Sequence, residues 1–331
     1  MRLTDLAEFA ARWSLALACR LRRADPGGVI VNGHTLTARQ TRFQVEVLGR
    51  WFDFIHHDDL LERLQRPRAR PFCLFTFDDG KRSCATAVAP ELERLGVPAV
   101  FYVVTRFLAE GGPLWFDRHD ALVRALGYVP PGLELATLKR LPLTLLTDRL
   151  DQACARYGVA PDMSSDDIRP MSWDDARGLT RRGFTIGAHG LRHCILTREP
   201  ADEVLSDIRG SIAEVTAELG APCSTFAFPN GSYTAPLARH VLQFGVATVM
   251  TTDPMWVDGR FPPWRLPRIQ LFGPQSRAAI EMKVAAGATG RVLSNPDGTG
   301  RRYRRMHRLT RVDRLTRADD EARSTAASAR R

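Results

Sequence analysis

Short apolar segments alternate with amphipathic segments along the middle of the chain. The apolar ones are rich in β-branched and aromatic residues and have the length of strands. They lie at 27–36, 72–77, 99–104, 184–189, 224–229 and 246–251, whereas helical spacing is found at 42–55, 86–96 and 201–220. Continuous apolar strands separated by helices are typical of a parallel sheet buried on both faces. The pattern therefore predicts an α/β fold, either a barrel or a doubly wound sheet.

Three segments depart from this alternation. Residues 1–27 contain an amphipathic helix at 3–23, which we expect to pack on the domain, with binding to an anionic membrane surface as the alternative. A stretch at about 110–170, with Pro-rich turns and helical pieces, predicts an insertion. Residues 273–331 are rich in Gly, Ala and Arg and predict a disordered tail. The main domain is then expected at 28–272.

Composition bears on location. No uncharged apolar run has the roughly 18 to 20 residues that cross a bilayer. The short apolar stretch 13–19 is followed by arginines instead of a small-residue cleavage site. Six cysteines are scattered without a CxxC pair, which fits a reducing compartment. We therefore predict a cytoplasmic location, with peripheral contact at the inner membrane face through the N-terminal helix as an option.

The net charge of +10 is the one feature that suggests nucleic acid. The excess lies in the tail 301–331, and the rest of the chain has no nucleic-acid-reading motif with interleaved aromatics. Lysine occurs only at 81, 139 and 283, so nearly all the basic residues are arginine, a bias typical of genome composition. We expect no nucleic-acid partner.

Two polar clusters follow predicted strands. Asp78 and Asp79 come directly after 72–77, and His189 ends the strand 184–189, with His193 four residues later. A DDG sequence alone is explained by a turn or a helix cap. Because functional residues of parallel α/β folds collect where strands end, the coincidence favours a divalent metal held by a carboxylate and two imidazoles.

Other polar and aromatic residues have competing explanations. The run 56–59 (HHDD) contains metal-ligand residue types, but its place before an apolar helical segment favours a helix start. His34 ends the first strand and is an additional candidate active-site residue, because first-strand residues can face a barrel mouth. Trp115 and Phe116 could stack on a sugar, although packing of the insertion is the simpler use.

Three motifs together carry a family resemblance. TFDDG, the segment MSWDDARGLTRRGFTIGAHGLRHCIL, and FAFPNGSY resemble the polysaccharide deacetylases of the fourth carbohydrate esterase family over roughly residues 28–272. The resemblance implies an irregular (β/α) barrel and a metal-dependent N- or O-deacetylase. It implies that Asp78 is the base and that Asp79, His189 and His193 hold a divalent ion, with zinc expected. A backbone N–H near Pro229, Asn230 and Gly231 is then expected to stabilise the oxyanion.

The chain also departs from the family pattern. In the third motif Ala227 stands where better-studied members have an arginine that orients the base, and Asn230 replaces a tyrosine. Another residue must therefore orient the base. The late Leu-x-His motif that supplies the acid is missing, since His307 is the only histidine after Trp264; RLPRIQL at 265–271 resembles the LPRI ending of a divergent branch. Protonated Asp78 and His34 are the candidate acids.

The function expected from these features is removal of acetyl groups from N-acetylated sugars of a polysaccharide or a lipid-linked glycan precursor. One alternative is a related amidohydrolase that opens a small cyclic amide or ureide. Another is a non-catalytic glycan-binding protein, which the missing acid supports and the presence of Asp78 opposes.

Overall fold

Parallel strands form the centre of the molecule. A computed structural model describes residues 3–21 and 27–288. The strands in this part of the chain are β1 (Gly28–Gly33), β2 (Asp53–Phe54), β3 (Phe72–Phe77), β4 (Ala99–Val103), β5 (Thr185–Ala188), β6 (Thr225–Ala227), β7 (Thr248–Met250) and β8 (Ile269–Gln270). Their order is β7-β6-β5-β4-β3-β1-β8, with β2 pairing beside the start of β3. All of these pairings are parallel, which confirms the predicted (β/α) barrel in an open, curled form.

Helices cover the sheet, and every residue of its longer strands is buried as a result. They are α1 (Leu3–Leu21), α2 (Ala38–Leu48), α3 (Leu60–Gln65), α4 (Ala89–Arg94), α5 (Thr105–Glu110), α6 (Trp115–Leu126), α7 (Leu135–Leu138), α8 (Leu143–Tyr157), α9 (Trp173–Arg181), α10 (Ala201–Leu219), α11 (Ala235–Val241) and α12 (Arg277–Ala288). Local sequence explains several helix starts. Thr37 and Gln40 form a capping box before α2, and Ser172 and Asp175 form one before α9. None of the described helices is long and apolar enough to cross a membrane.

The predicted insertion contains α6, α7 and α8, which share a small apolar core of their own. A buried ion pair attaches the insertion to the barrel: the ammonium of Lys81, which follows the turn after β3, lies 2.5 Å from Asp117 Oδ2 on α6. The same ammonium lies 5.1 Å from the ring centre of Phe116. These contacts fix the start of α6 beside the strand ends.

Two expectations about elements were wrong in part. The helix predicted at 42–55 begins at Ala38 and ends at Leu48, and residues 53–54 form β2, because the Asp53 N–H donates to the Pro71 carbonyl beside β3. The tail predicted from residue 273 includes α12, whose apolar residues share a core with Leu15 and Ala18 of α1. Residues 22–26 and 289–331, which include the end of the predicted first helix and most of the tail, lie outside the described residues.

Candidate metal and catalytic site

The two adjacent aspartates lie on a sharp turn at the carboxyl end of β3. Asp79 and Gly80 have φ angles of 77° and 78°, in the left-handed region. A Cβ on Gly80 would come within 2.9 Å of Leu108, so the turn requires glycine. As a result the two carboxylates have different partners: Asp79 faces histidines, and Asp78 faces an arginine.

Asp79, His189 and His193 form a compact buried cluster. The Asp79 Oδ1 atom lies 3.3 Å from His193 Nε2 and 3.7 Å from His189 Nε2, and one ligand atom from each residue lies within 4.8 Å of the others. His189 Nδ1 is 2.8 Å from the Ala227 carbonyl oxygen, to which it donates, so its Nε2 keeps a free lone pair. Asp79 Oδ1 is buried and has no hydrogen-bond partner among the described residues. An unpaired carboxylate oxygen between two imidazole nitrogens fits a divalent ion such as zinc.

The charge states of the cluster are also those that suit binding of a divalent ion. Burial tends to raise the pKa of Asp79, but the imidazoles of His34, His193 and His189 outweigh burial and lower it well below the usual range. Burial also lowers the pKa of His189 to about 4. At neutral pH the cluster therefore presents an ionised carboxylate and a neutral His189 imidazole, the forms that bind metals.

Asp78 is held by a residue whose role the sequence did not reveal. Arg268 donates from Nη1 to Asp78 Oδ1 at 2.7 Å and from Nη2 to Oδ2 at 2.9 Å, and it is fully buried. Asn32 on β1 donates to Asp78 Oδ2 at 2.9 Å. Burial tends to raise the pKa of Asp78, but the guanidinium of Arg268 and then His189 outweigh it and lower it. Arg268 is the arginine of the LPRI segment. It binds the Asp78 carboxylate in this chain, whose third motif has Ala227 and no arginine for that contact.

His34 lies beside the cluster at the end of β1. Its Nε2 is 4.0 Å from Asp79 Oδ2, and its side chain is 31% exposed. The ring packs against Phe272, with ring centres 5.0 Å apart. The candidate acid is therefore next to the Asp79, His189 and His193 cluster and is accessible from the cavity.

The PNG segment forms a tight turn after β6. Asn230 and Gly231 have φ angles of 54° and 64°, and a Cβ on Gly231 would come within 1.8 Å of Thr252 Oγ1. Pro229 has no N–H, and the Gly231 N–H donates to Phe228 O at 3.0 Å. The buried Nδ2 of Asn230 has no partner within the described part of the chain. Of the three residues predicted here, Asn230 is the one with a donor to offer.

A cavity of about 560 Å³ joins these groups. Its walls include Asp78, His189 and His193, together with His34, Asn230, Gly231, Trp115, Phe116, Phe228, Phe272, Lys139 and Lys283. Trp115 is almost fully buried in the insertion core, as packing predicts, whereas the Phe116 ring lies edge-on to His193 at 5.1 Å. The run 56–59 lies elsewhere: it leads into α3, and His57 Nε2 contacts Thr248 Oγ1 at 2.8 Å.

A parallel barrel with a buried Asp-His-His cluster beside a second carboxylate defines a hydrolase-type site at the strand ends. A family model for polysaccharide deacetylases matches residues 65–249, which is more than half of the chain. The chain belongs to the polysaccharide deacetylase family, and the predicted class, a deacetylase acting on amide bonds, is confirmed. A search of curated proteins finds no match.

Solved structures show the same fold. The Streptococcus pyogenes deacetylase PplD, in complex with acetate, aligns with a TM-score of 0.54 and 12% identity, covering 78% of this chain and 97% of its own. IcaB from Ammonifex degensii gives 0.52 and 17%, with coverages of 78% and 97%. The BpsB deacetylase domain from Bordetella bronchiseptica gives 0.51 and 16%, with 74% and 96%.

Proposed function

We propose that this polysaccharide deacetylase is metal-dependent and removes acetyl groups from N-acetylated sugars of a polysaccharide or a lipid-linked glycan precursor. The observation that carries the proposal is the buried Asp79, His189 and His193 cluster beside Asp78. Asp78 and the two histidines line one large cavity, and Asp79 lines the adjoining one. A non-catalytic glycan-binding protein would need no second carboxylate that is fixed by a buried arginine. Acetate release from N-acetylated sugars is the activity that separates these alternatives.

Asp79, His189 and His193 would hold the divalent ion, with zinc the expected metal. When bound, such an ion lowers the pKa of a water molecule and polarises the acetyl carbonyl. Three protein ligands leave positions open for water and substrate, as in other catalytic zinc sites.

The remaining groups have separate tasks. Asp78 takes a proton from the attacking water, and Arg268 and Asn32 keep its carboxylate ionised and fixed for this step. The side-chain Nδ2 of Asn230 donates to the acetyl oxygen as negative charge develops there. Cleavage of the C–N bond then requires a proton on the leaving nitrogen, and we assign that proton to His34 because its ring lies at the cavity wall.

The assignment of His34 predicts a dependence on the leaving group. Changing His34 to Gln should lower kcat/KM for an N-acetylated sugar by roughly 10²-fold or more, because an amine cannot leave without a proton. The same variant should hydrolyse 4-nitrophenyl acetate at a rate close to that of the unchanged protein, since a nitrophenolate needs no proton to leave. Metal content of both proteins is the control. If His34→Gln keeps full activity on the N-acetylated sugar, the general acid would instead be protonated Asp78.

Acetate release tests the proposed function itself. The zinc-loaded and chelator-treated proteins are compared on chitooligosaccharides, lipid-linked N-acetylated sugars and small cyclic amides. We expect zinc-dependent release from one of the sugar classes. Ring opening of a cyclic amide without acetate release would favour the small-amide alternative, and sugar binding without any hydrolysis would favour the glycan-binding one.

The outer face of α1 supports peripheral membrane contact. Phe9, Trp13, Leu17 and Leu21 are spaced four residues apart, and each is 53–75% exposed. The opposite face, which includes Leu15, is buried against the rest of the molecule. A helix that packs on the domain and also presents an apolar stripe with flanking arginines is suited to an anionic lipid surface. The predicted cytoplasmic location would give it access to such a surface.

Vesicle flotation tests this contact. The double change Trp13→Ala and Leu17→Ala should lower binding to vesicles with anionic lipid by ~10-fold, because two large apolar side chains no longer enter the interface. Binding should also weaken as salt is added. Leu145→Ala is the matched control, since Leu145 is a similarly exposed residue on α8. Equal flotation of the double variant and the unchanged protein would exclude the contact.

A further inference from the structure

The rare lysines of this chain lie around the catalytic cavity. Only three of its 47 basic Lys and Arg residues are lysines. Lys139 and Lys283 line the cavity that holds His189 and His193. Lys81 lines an adjoining cavity of about 490 Å³ that shares His34 with the first. Lys81 has a structural role in its ion pair with Asp117, and Lys139 has an interaction of its own within the protein, which leaves Lys283 as the lysine to consider for a ligand.

Lys283 on α12 has no anionic partner among the residues that the structure describes. It contacts an aromatic ring instead: its Nζ atom lies 5.8 Å from the ring centre of Phe272. The side chain is half-buried, and burial lowers its pKa with no carboxylate to offset the effect. A partly desolvated cation without a counter-charge is costly in a folded protein unless a ligand supplies that charge.

The position of Lys283 relates it to the reacting groups. The Phe272 ring that it contacts also packs on His34, and His34 lies 4.0 Å from Asp79. A chain of contacts through the Phe272 and His34 rings, which line the same cavity, therefore leads from the ammonium group to Asp79. Asp120 is a carboxylate at the same cavity wall, and it lies 3.2 Å from His119 Nδ1.

We propose that Lys283 forms a subsite for an anionic substituent, a phosphate ester or a carboxylate, carried by the acetylated sugar. An ammonium group is a compact point charge that suits either anion. Lys139, on the insertion, lines the same cavity. This assignment deepens the proposed function and rests on it, since it names the class of sugar that the deacetylase accepts.

A matched pair of sugars tests the subsite by kinetics. Methyl N-acetylglucosaminide is neutral, and N-acetylglucosamine 1-phosphate is its anionic counterpart. The unchanged protein should show a kcat/KM about 10-fold or more higher for the phosphate, the scale of one charge-assisted hydrogen bond. Lys283→Met should abolish this preference, and Lys283→Arg should keep most of it. Arg277→Met is the control, because it removes the same charge from the same helix away from the cavity and should retain the preference.

A binding measurement separates failure of the subsite from failure of the function. The affinities of both sugars are measured by calorimetry on zinc-loaded Asp78→Asn protein, with and without Lys283→Met. Tighter binding of the phosphate that disappears with Lys283→Met supports the subsite, even if no acetate is released and the proposed function fails. Equal affinities in both proteins would overturn the subsite, even if acetate is released.

The nature of the anion is resolved with two further ligands. One is an N-acetylated sugar with a uronic carboxylate, and the other is an N-acetylated sugar linked through phosphate to a lipid chain in detergent. Lys283-dependent binding of the uronic sugar above the phosphate would assign a carboxylate. Lys283-dependent binding of the lipid-linked compound above the soluble phosphate would assign a lipid-linked substrate.

Discussion

Changing Asp78 to Asn is expected to leave the metal in place and to reduce acetate release by roughly 10² to 10⁴, the usual effect of losing a general base. Asp79→Asn is expected to lose both the metal and the activity, because a neutral amide is a poor ligand for a divalent ion. The two residues are chain neighbours and both are buried, so each variant is a matched control for the other. Their different partners predict their different effects.

Metal analysis and acetate release are the measurements. The unchanged protein should hold about one divalent ion per chain after loading and desalting, and His189→Ala or His193→Ala should release most of it. Loss of metal in Asp78→Asn would mean that Asp78 is a ligand. Undiminished acetate release by the same variant would mean that it is not the base. Full metal occupancy after replacement of both histidines would remove the metal site altogether.

Replacing Arg268 with Met is expected to affect stability and activity together. The guanidinium is completely buried and binds both oxygens of Asp78, so its loss leaves an uncompensated buried carboxylate. Breaking such a pair costs about 3–5 kcal/mol of unfolding free energy. Activity should fall by a factor similar to that of Asp78→Asn, because the base is no longer held in position.

A double-mutant cycle distinguishes this explanation from simple loss of packing. If the cost comes from the unpaired charge, adding Asp78→Asn to Arg268→Met should restore part of the stability measured by urea unfolding. Arg268→Lys should recover little activity, since a lysine cannot match the two-pronged geometry of arginine. A fully stable and active Arg268→Met protein would show that another group orients Asp78.

The sequence was sufficient to predict that Asp78, Asp79, His189 and His193 meet. Each follows a strand whose apolar pattern is local, and the carboxyl ends of parallel strands lie at one edge of a sheet. Arg268 is different because it lies 190 residues from Asp78, and no local pattern shows which strand end it will face. The LPRI segment was recognisable as a motif, but nothing in the sequence indicated that its arginine binds Asp78.

Elements stabilised by distant contacts were also hard to predict. β2 has two residues and depends on pairing with β3, whereas the apolar stretch 51–55 by itself continues the helical pattern that precedes it. α12 has a weakly patterned, alanine-rich sequence, and its burial against α1 cannot be deduced from its own residues. Tertiary packing decides both cases.

The packing of α1 on α12 means that a truncated protein would be hard to interpret. Ile280 and Val284 of α12 share a core with Leu15 of α1, and Lys283 lies between them in sequence. Deleting the first helix would expose the apolar face of α12 and disturb the packing of the helix that carries Lys283. A shortened chain could then lose membrane binding and substrate selection at once, although the two properties use different surfaces. Substitutions confined to the outer stripe of α1 keep them separable.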